Sequence, residues 1–248
     1  MSYISRFIIS PDYSPSHTLD WHRLNSALQK LLETPLHLQL PNGNEQYHAL
    51  LKEQPELVYV GPFDTAELVR KQGYEPLAKP FSHSDEVVIF SRHDTGCNSI
   101  TCLPKNIRII CTADKDVEKL GLVLLEPVSI NKQTAKWESV DYFQSVIRKV
   151  QDDINAIGII RKDIYDNLSE TIQKWCQPLI ISHLSELSHT LLIAPNANRL
   201  RNKFLNNFDR ICQNTEIQAI LKNLNINQFE KLEKEEVLFM SDIIDTLI

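Results

Sequence analysis

The sequence has few glycines and no long apolar segment. Its six glycines in 248 residues form neither the G-x-G-x-x-G pattern of dinucleotide-binding loops nor the G-x-x-x-x-G-K pattern of P-loops. Its apolar runs all fall short of the roughly 18 uninterrupted residues that a membrane-spanning helix needs. We therefore expect a chain that uses no cofactor and does not insert into a membrane.

The sequence also lacks an excess of basic residues, with 26 Lys and Arg against 32 Asp and Glu. The formal net charge is −6 at pH 7, whereas a protein that binds nucleic acid needs a basic face to displace the counterions of the phosphate backbone. The charge balance therefore predicts no nucleic-acid partner.

The cysteines form an odd, scattered set of five: Cys97, Cys102, Cys111, Cys176 and Cys212. Such a set is more typical of a reducing compartment than of a disulfide framework. Cys97 and Cys102 lie close together in the sequence, but no second Cys/His pair follows at the spacing of a zinc site. We therefore expect free thiols and no metal site.

The amino terminus does not have the pattern of a signal peptide. Residues 1–9 lack a long apolar region, and no small-residue cleavage site precedes Pro11. As written, the sequence predicts a cytoplasmic protein. A sequence from which a signal peptide had been trimmed would belong to a periplasmic protein instead.

Local motifs of catalysis are missing too. The eight histidines include no H-E-x-x-H pair, and no serine lies in the G-x-S-x-G turn of a hydrolase nucleophile. The sequence therefore predicts a protein that is not an enzyme. An enzyme stays open as an alternative, because a catalytic triad can assemble from residues far apart in the chain.

Short apolar runs alternate with amphipathic stretches along the chain. Residues 7–10 form an apolar run before a turn-rich segment, and apolar residues then recur every three or four positions over 21–32, which predicts a strand followed by a helix. Further strands are predicted at 36–40, 57–60, 86–91, 107–111, 157–160, 178–182 and 190–194, and further helices at 65–72, 115–125, 141–153, 198–213, 215–224 and 234–247. This alternation predicts an α/β fold with mainly parallel sheets flanked by helices.

One stretch has a more specific pattern. Glu56–Ala66 contains an apolar strand, Gly61-Pro62, a small polar turn and the start of a helix, and a Pro-Leu-Ala strand follows within Glu75–Ala78. This succession resembles the phosphate, phosphite and phosphonate branch of the periplasmic binding proteins. Ser10-Pro11-Asp12 after the first strand, and the segments 94–103 and 222–230, fall in the same order as in that family.

The resemblance implies a type 2 periplasmic-binding-protein fold with two α/β lobes. Lobe one would comprise 1–88 and 180–248, lobe two 89–179, and hinge strands near 85–92 and 175–182 would join them. The ligand would be clamped between the lobes, at strand ends and helix N-termini, where N–H groups and the helix dipole favour an anion.

The resemblance is weaker in lobe two. Phosphonate-binding members hold the oxyanion with a Ser-Thr-Ser-Gly turn, and the corresponding turn here is Thr112-Ala113-Asp114, which keeps one hydroxyl and adds a carboxylate that repels an anion. A His-Glu pair of the family corresponds to Trp137-Glu138. We therefore expect an altered pocket whose acidic groups favour a ligand with amine or hydroxyl groups.

The candidate ligand contacts of lobe one lie where strands end and helices begin: Tyr13, Gly61, Phe63, Asp64 and Thr65. Each has a simpler alternative. Tyr13 is otherwise a surface residue of a loop, Gly61 belongs to a tight turn, and Asp64 or Thr65 is the N-cap of the following helix.

The candidates of lobe two are Thr112, Ala113, Asp114, Trp137 and Glu138. Thr112 or Asp114 is alternatively a helix cap. A buried Glu138 would pair with a ligand amine, a ligand hydroxyl or a basic side chain, and otherwise it is a solvated surface residue. Trp137, expected in a loop, is either a packing residue or a stacking platform for the ligand.

These features predict a solute-binding protein that captures a small polar or anionic ligand, an oxyanion among the candidates, by hinge closure. An ABC permease or a signalling protein is the expected protein partner. The alternative is a cytoplasmic ligand sensor, or a non-catalytic interaction module that has lost the original ligand site.

Overall fold

The computed structural model describes residues 4–81, 84–183 and 186–246. The chain divides into two compact units, Met1–Ser84 with Glu186–Ile244 (unit one) and Asp85–Ser185 with Asp245–Ile248 (unit two). The lobe boundaries expected from the sequence lie close to these divisions. The assignment of lobes remains a prediction. Among the described residues, no helix is long and apolar enough to cross a membrane.

Strands and helices alternate through most of the chain. The strands are β1 (Ser5–Ile9), β2 (Leu36–Gln39), β3 (Leu57–Val60), β4 (Glu75–Pro80), β5 (Val87–Arg92), β6 (Arg108–Thr112), β7 (Lys136–Val140), β8 (Ala156–Arg161), β9 (Cys176–Ile181), β10 (Thr190–Ile193) and β11 (Phe229–Lys231). The helices are α1 (Thr18–Leu32), α2 (Asn44–Lys52), α3 (Pro62–Gln72), α4 (Lys115–Leu125), α5 (Phe143–Asp152), α6 (Lys162–Asp166), α7 (Glu170–Gln173), α8 (Asn198–Asn206), α9 (Phe208–Gln213), α10 (Thr215–Asn223) and α11 (Lys234–Thr246).

Unit one contains a six-stranded sheet in the order β11-β4-β10-β3-β1-β2. β1 pairs in parallel with β2 and β3, because α1 and α2 provide the long crossovers that parallel pairs require. β10 returns from unit two along the chain and runs antiparallel to β3 and β4, and β11 is antiparallel to β4. Every residue of β3 and of β10 is buried, as expected for strands covered on both faces.

Unit two contains a five-stranded sheet in the order β7-β6-β8-β5-β9. β6 is parallel to β7 and β8, whereas β5 is antiparallel to β8 and β9. Its core includes Phe90, Ile110 and Ile160 from the sheet and Val146 and Val150 from α5. β5 and β9, which the sequence placed as hinge strands, pair with each other inside this sheet.

The expected layers of helix and sheet are present, and most strands of each sheet run in one direction, as expected. In unit one these are β1, β2, β3 and β4, and in unit two β6, β7, β8 and β9. Both sheets are nevertheless mixed, because β10 and β11 in unit one and β5 in unit two run in the opposite direction. Hydrophobic periodicity carries no information about strand direction, so these reversals were not predicted.

Cys97 and Cys102 are joined by a disulfide, with their Cα atoms 5.9 Å apart. The expectation of free thiols was wrong for this pair, because the loop after β5 turns back at Gly96, which has a φ of +69°, and brings the cysteines within the usual Cα range of a disulfide. Cys111 and Cys176 are free and buried. Burial raises the pKa of the Cys111 thiol to about 11 and that of Cys176 to about 12, so both stay protonated.

The disulfide gives a direct chemical prediction. Thiol titration of the protein unfolded without reductant should find three free thiols, Cys111, Cys176 and Cys212, rather than all five cysteines. Reduction should destabilise the fold by about 2 kcal/mol, the loop-closure value for so short a ring, and shift the urea midpoint accordingly. A Cys97→Ser/Cys102→Ser variant is the control, since reductant should leave its midpoint unchanged. Five free thiols in the untreated protein would contradict the pairing.

Candidate functional site

Three chain segments of unit one meet at one edge of its sheet. β1 and β3 are parallel and end there, and β10 begins there because it is antiparallel to β3, with Thr190 opposite Val60. Ser10, Gly61 and His189 therefore lie at the same edge. Ligands of open α/β sheets bind outside the carboxyl ends of parallel strands, which makes this edge the candidate site of unit one.

Ser10, Asp12 and His189 form a hydrogen-bonded group at this edge, the Ser10–Asp12–His189 cluster. His189 Nε2 lies 2.8 Å from Asp12 Oδ2, and since a carboxylate only accepts, Nε2 carries the hydrogen. The Ser10 hydroxyl donates to Asp12 Oδ1 and lies 3.3 Å from the same Nε2. The imidazole is buried and stacks on the ring of Tyr59, with centroids 5.1 Å apart.

The cluster does not have the geometry of a hydrolase triad. A triad requires the carboxylate on Nδ1 of the histidine and the serine hydroxyl on Nε2, so that the imidazole can take the proton of the serine. Here Asp12 and Ser10 both approach Nε2. The arrangement fixes side chains in place and does not activate Ser10.

Tyr13 follows the cluster directly in the chain. Its ring packs edge-on against Trp21, with centroids 6.4 Å apart, and it is half-buried. Burial is the main cause that raises the pKa of the Tyr13 hydroxyl, and the Asp12 carboxylate raises it further. The hydroxyl therefore stays protonated at neutral pH and is able to donate a hydrogen bond to an anionic group.

α3 begins at this same edge of the sheet. Gly61 is its N-cap residue and Pro62 occupies the first turn, a position that suits proline because no hydrogen bond is lost there. The expectation that Asp64 or Thr65 caps the helix was wrong, since both lie inside it. Gly61 has a φ of −70°, so its backbone conformation is open to other residues as well.

The side chains of the first turn of α3 point to different partners. Asp64 accepts a hydrogen bond of 3.1 Å from the hydroxyl of Tyr47. Thr65 is fully buried; its hydroxyl lies 2.9 Å from the Gly61 carbonyl oxygen and 2.5 Å from the Thr190 hydroxyl. Phe63 is also buried. Thr65 therefore ties α3 to β10, and the ligand roles expected for these residues stay predictions.

In unit two, the turn Thr112-Ala113-Asp114 connects β6 to α4. Asp114 is the N-cap of α4, and its Oδ1 accepts from the backbone N–H groups of Asp116 at 2.8 Å and of Val117 at 3.4 Å. The carboxylate therefore occupies the position at the helix N-terminus where an anion would find N–H donors and the positive end of the dipole. The capping alternative describes what Asp114 does in this structure.

Trp137 and Glu138 lie in β7, so the expectation of a loop around them was wrong. Glu138 forms ion pairs with Arg108 at 2.5 Å and with Lys149 at 2.8 Å. Lys149 and then Arg108 lower the pKa of Glu138. Arg108 also pairs with Asp153 at 3.0 Å. Glu138 is thus a compensated, partly exposed charge, and its ligand role stays a prediction.

The Glu138 network predicts a pH-dependent contribution to stability. The pKa of Glu138 is lower in the folded state than in the unfolded state. Its ion pairs therefore stabilise the fold fully at a pH above the unfolded-state pKa. This stabilisation is lost as the pH falls through the folded-state pKa. Glu138→Gln should therefore lower the free energy of unfolding at pH 7 by up to about 1 kcal/mol, the range of exposed pairs, and by less at pH 3. Urea denaturation at both values measures this, with Glu126→Gln as an exposed control. An equal loss at both values would contradict it.

A cavity of unit one lies at the opposite edge of its sheet. It has a volume of about 330 Å³, and its lining includes Ser5, Pro35, Glu56, Arg199 and Lys203. Glu56 there accepts a 2.7 Å hydrogen bond from the backbone N–H of Arg6, and Lys203 donates to the Glu33 carbonyl oxygen at 2.8 Å. These charged groups hold the ends of the strands together. No group of His, Cys, Asp and Glu side chains suited to a metal ion occurs in the described ranges.

Comparison with known proteins places these features in a family. The family model described as "ABC transporter, phosphonate, periplasmic substrate-binding protein" matches residues 7–237. No curated protein sequence matches the chain.

Solved structures share the fold at low sequence identity. PhnD1 from Prochlorococcus marinus, in complex with methylphosphonate, superposes with a TM-score of 0.80 at 15% identity over 98% of both chains. A Xanthomonas citri protein bound to ATP gives a TM-score of 0.76 at 13% identity, covering 99% of this chain and 98% of the other. A binding protein component of a phosphonate ABC transporter from Pseudomonas aeruginosa gives 0.76 at 14% identity, covering 100% and 86%.

Proposed function

This chain belongs to the family of periplasmic substrate-binding proteins of phosphonate ABC transporters, and from that premise we propose that it captures a small ligand that carries an anionic group. The observation that supports this most is the extent of the family match, which runs from β1 to α11 and covers most of both units. The type 2 periplasmic-binding-protein fold expected from the sequence agrees with it.

Unit one supplies the groups that suit an anion. The positive end of the α3 dipole lies at the sheet edge where β1 and β3 end. The loop that follows β1 at this edge carries Tyr13, whose hydroxyl stays protonated at neutral pH and is a hydrogen-bond donor. The negative charge of Asp12 is offset by its hydrogen bonds from Ser10 and His189. Tyr13, with Gly61, Phe63, Asp64 and Thr65 around the start of α3, is the proposed contact set of this unit.

Unit two favours a different part of the ligand. Thr112 offers a hydroxyl, whereas the Asp114 carboxylate already occupies the N-terminus of α4 and repels a second negative charge there. The ligand we propose is therefore a small molecule that combines an anionic group with an amine or hydroxyl group. Thr112, Ala113 and Asp114 are the proposed contacts, and Trp137 and Glu138 stay candidates.

We further propose that the protein works in the periplasm, delivers its ligand to an ABC permease and performs no catalysis. The Cys97–Cys102 disulfide suits an oxidising compartment, and the geometry of the Ser10–Asp12–His189 cluster offers no activated nucleophile. Hinge closure, expected from the resemblance, remains part of the proposal, and a fall in the radius of gyration on ligand addition, measured by small-angle scattering, would support it.

A thermal-shift screen tests ligand binding. The probes are methylphosphonate, 2-aminoethylphosphonate, phosphate, sulfate, glycine, serine and ATP. A true ligand at a hundredfold its dissociation constant adds about 2.7 kcal/mol of stability, which for a chain of this size raises the midpoint by roughly 5 to 11 °C. We expect the largest shift with 2-aminoethylphosphonate, serine or glycine, which carry both an anionic and a cationic group. No shift with any probe would contradict the proposal.

Asp114→Asn tests how the charge at α4 selects the ligand. Asparagine is as good an N-cap as aspartate, so the helix should stay intact while the negative charge is lost. We expect the affinity for methylphosphonate, measured by calorimetry, to rise by about tenfold or more, equivalent to about 1.4 kcal/mol. Asp116→Asn, two residues further along in the first turn of the same helix, is the matched control. An unchanged or lower affinity in Asp114→Asn would show that this carboxylate does not oppose anion binding.

A further inference from the structure

We propose that His189 is a positioning residue for the ligand site of unit one: through Asp12 it holds the loop 10–14 in the conformation that presents Tyr13. This inference rests on the proposed function, because Tyr13 matters only if the sheet edge binds a ligand. His189 itself is not proposed to touch the ligand.

The loop leaves the sheet at Ser10. The Ser10 N–H donates to the Tyr59 carbonyl oxygen at 2.9 Å, which continues the pairing of β1 with β3 by one residue. Two positions further on, the Asp12 carboxylate is held by His189 at 2.8 Å and by the Ser10 hydroxyl. These side-chain bonds therefore fix the chain immediately before Tyr13, outside the hydrogen-bond ladder of the sheet.

His189 is a rigid anchor for this purpose. It precedes β10, its side chain is only 5% exposed, and its ring is stacked on Tyr59 at an interplanar angle of 28°. The next residue, Thr190, is held by β3 and by the Thr65 hydroxyl at 2.5 Å. The Asp12–His189 bond thus links the loop to the same strands that place the start of α3.

The Asp12–His189 bond also stabilises the negative charge of Asp12, which precedes Tyr13 in the chain. The Asp12 carboxylate is close enough to raise the pKa of the Tyr13 hydroxyl, and it would repel an anion bound at the same edge. The Nε2–H of His189 gives this largely buried carboxylate a charge-assisted hydrogen bond. Loss of the bond would loosen the loop and would remove the hydrogen bond that His189 donates to the negatively charged Asp12. Each of these changes would weaken anion binding.

His189→Phe separates positioning from packing. Phenylalanine keeps an aromatic ring that can stack on Tyr59 but has no hydrogen to donate to Asp12. If His189 only fills space, the variant should behave as wild type. If it positions the loop, hydrogen–deuterium exchange of a peptide covering 10–17 should become about tenfold faster, with exchange in β3 and β10 unchanged. His37→Phe, at an exposed position of β2, is the matched control.

Asp12→Ala is the second variant, and it removes the carboxylate along with the bond. We expect it to speed the exchange of the same peptide, and the Asp12→Ala/His189→Phe double variant to be no faster than the faster single variant, because both changes break one interaction. Additive effects, or an unchanged rate in both single variants, would overturn the proposal.

Binding of 2-aminoethylphosphonate, measured by calorimetry on the same variants, separates this inference from the proposed function. We expect the dissociation constant to rise at least about tenfold in His189→Phe and to stay at the wild-type value in His37→Phe. Wild-type affinity and wild-type exchange in His189→Phe would overturn the positioning role and leave the proposed function standing. Faster exchange in His189→Phe, with no binding of any probe by the wild type, would support the positioning role and overturn the proposed function.

Discussion

The antiparallel pairing of β10 with β3 is the constraint on which the site of unit one depends. β10 follows the segment Asp85–Ser185 of unit two and is hydrogen-bonded between β3 and β4. Its antiparallel direction brings its first residue to the edge where β1 and β3 end. His189 and Thr190 thereby meet the loop after β1 and the first turn of α3, segments that are far away in the sequence.

This constraint also brings several buried polar groups together. Ser10, Thr65, His189 and Thr190 are buried at one edge of the sheet of unit one. Buried polar groups are costly unless they are hydrogen-bonded, and here they bond mainly to one another. Such a satisfied network makes the edge rigid, which favours a binding site that is formed before the ligand arrives.

The elements that hydrophobic periodicity describes were predictable from the sequence. The apolar run before Pro11 and the stripe over 21–32 correspond to β1 and α1, and the Gly61-Pro62 pattern placed the start of α3 and the family together. Strand direction was not predictable in this way, nor was β7, whose mix of charged and aromatic residues lacks a strand pattern. Trp137 and Glu138 were assigned to a loop for that reason.

The site was predictable only where its residues are local in sequence. Tyr13, Gly61 and Asp114 could be found because each follows a predicted strand. His189 could not, because its partner Asp12 lies far away in the chain and no short motif joins them. A histidine directly before an apolar strand, here Thr190–Ile193, was the one available signal. The Cys97–Cys102 pair shows the same limit, since a local turn and not the number of cysteines decides whether they meet.

Amide chemical-shift mapping will show whether the ligand binds at the carboxyl ends of the strands. The probe is 2-aminoethylphosphonate, titrated into isotope-labelled protein. We expect shifts at Tyr13, Phe63 and Asp64 in unit one and at Ala113 and Asp114 in unit two. Shifts confined to the opposite edge, around Glu56 and Lys203, or no shifts at all, would show that the ligand does not bind at these strand ends.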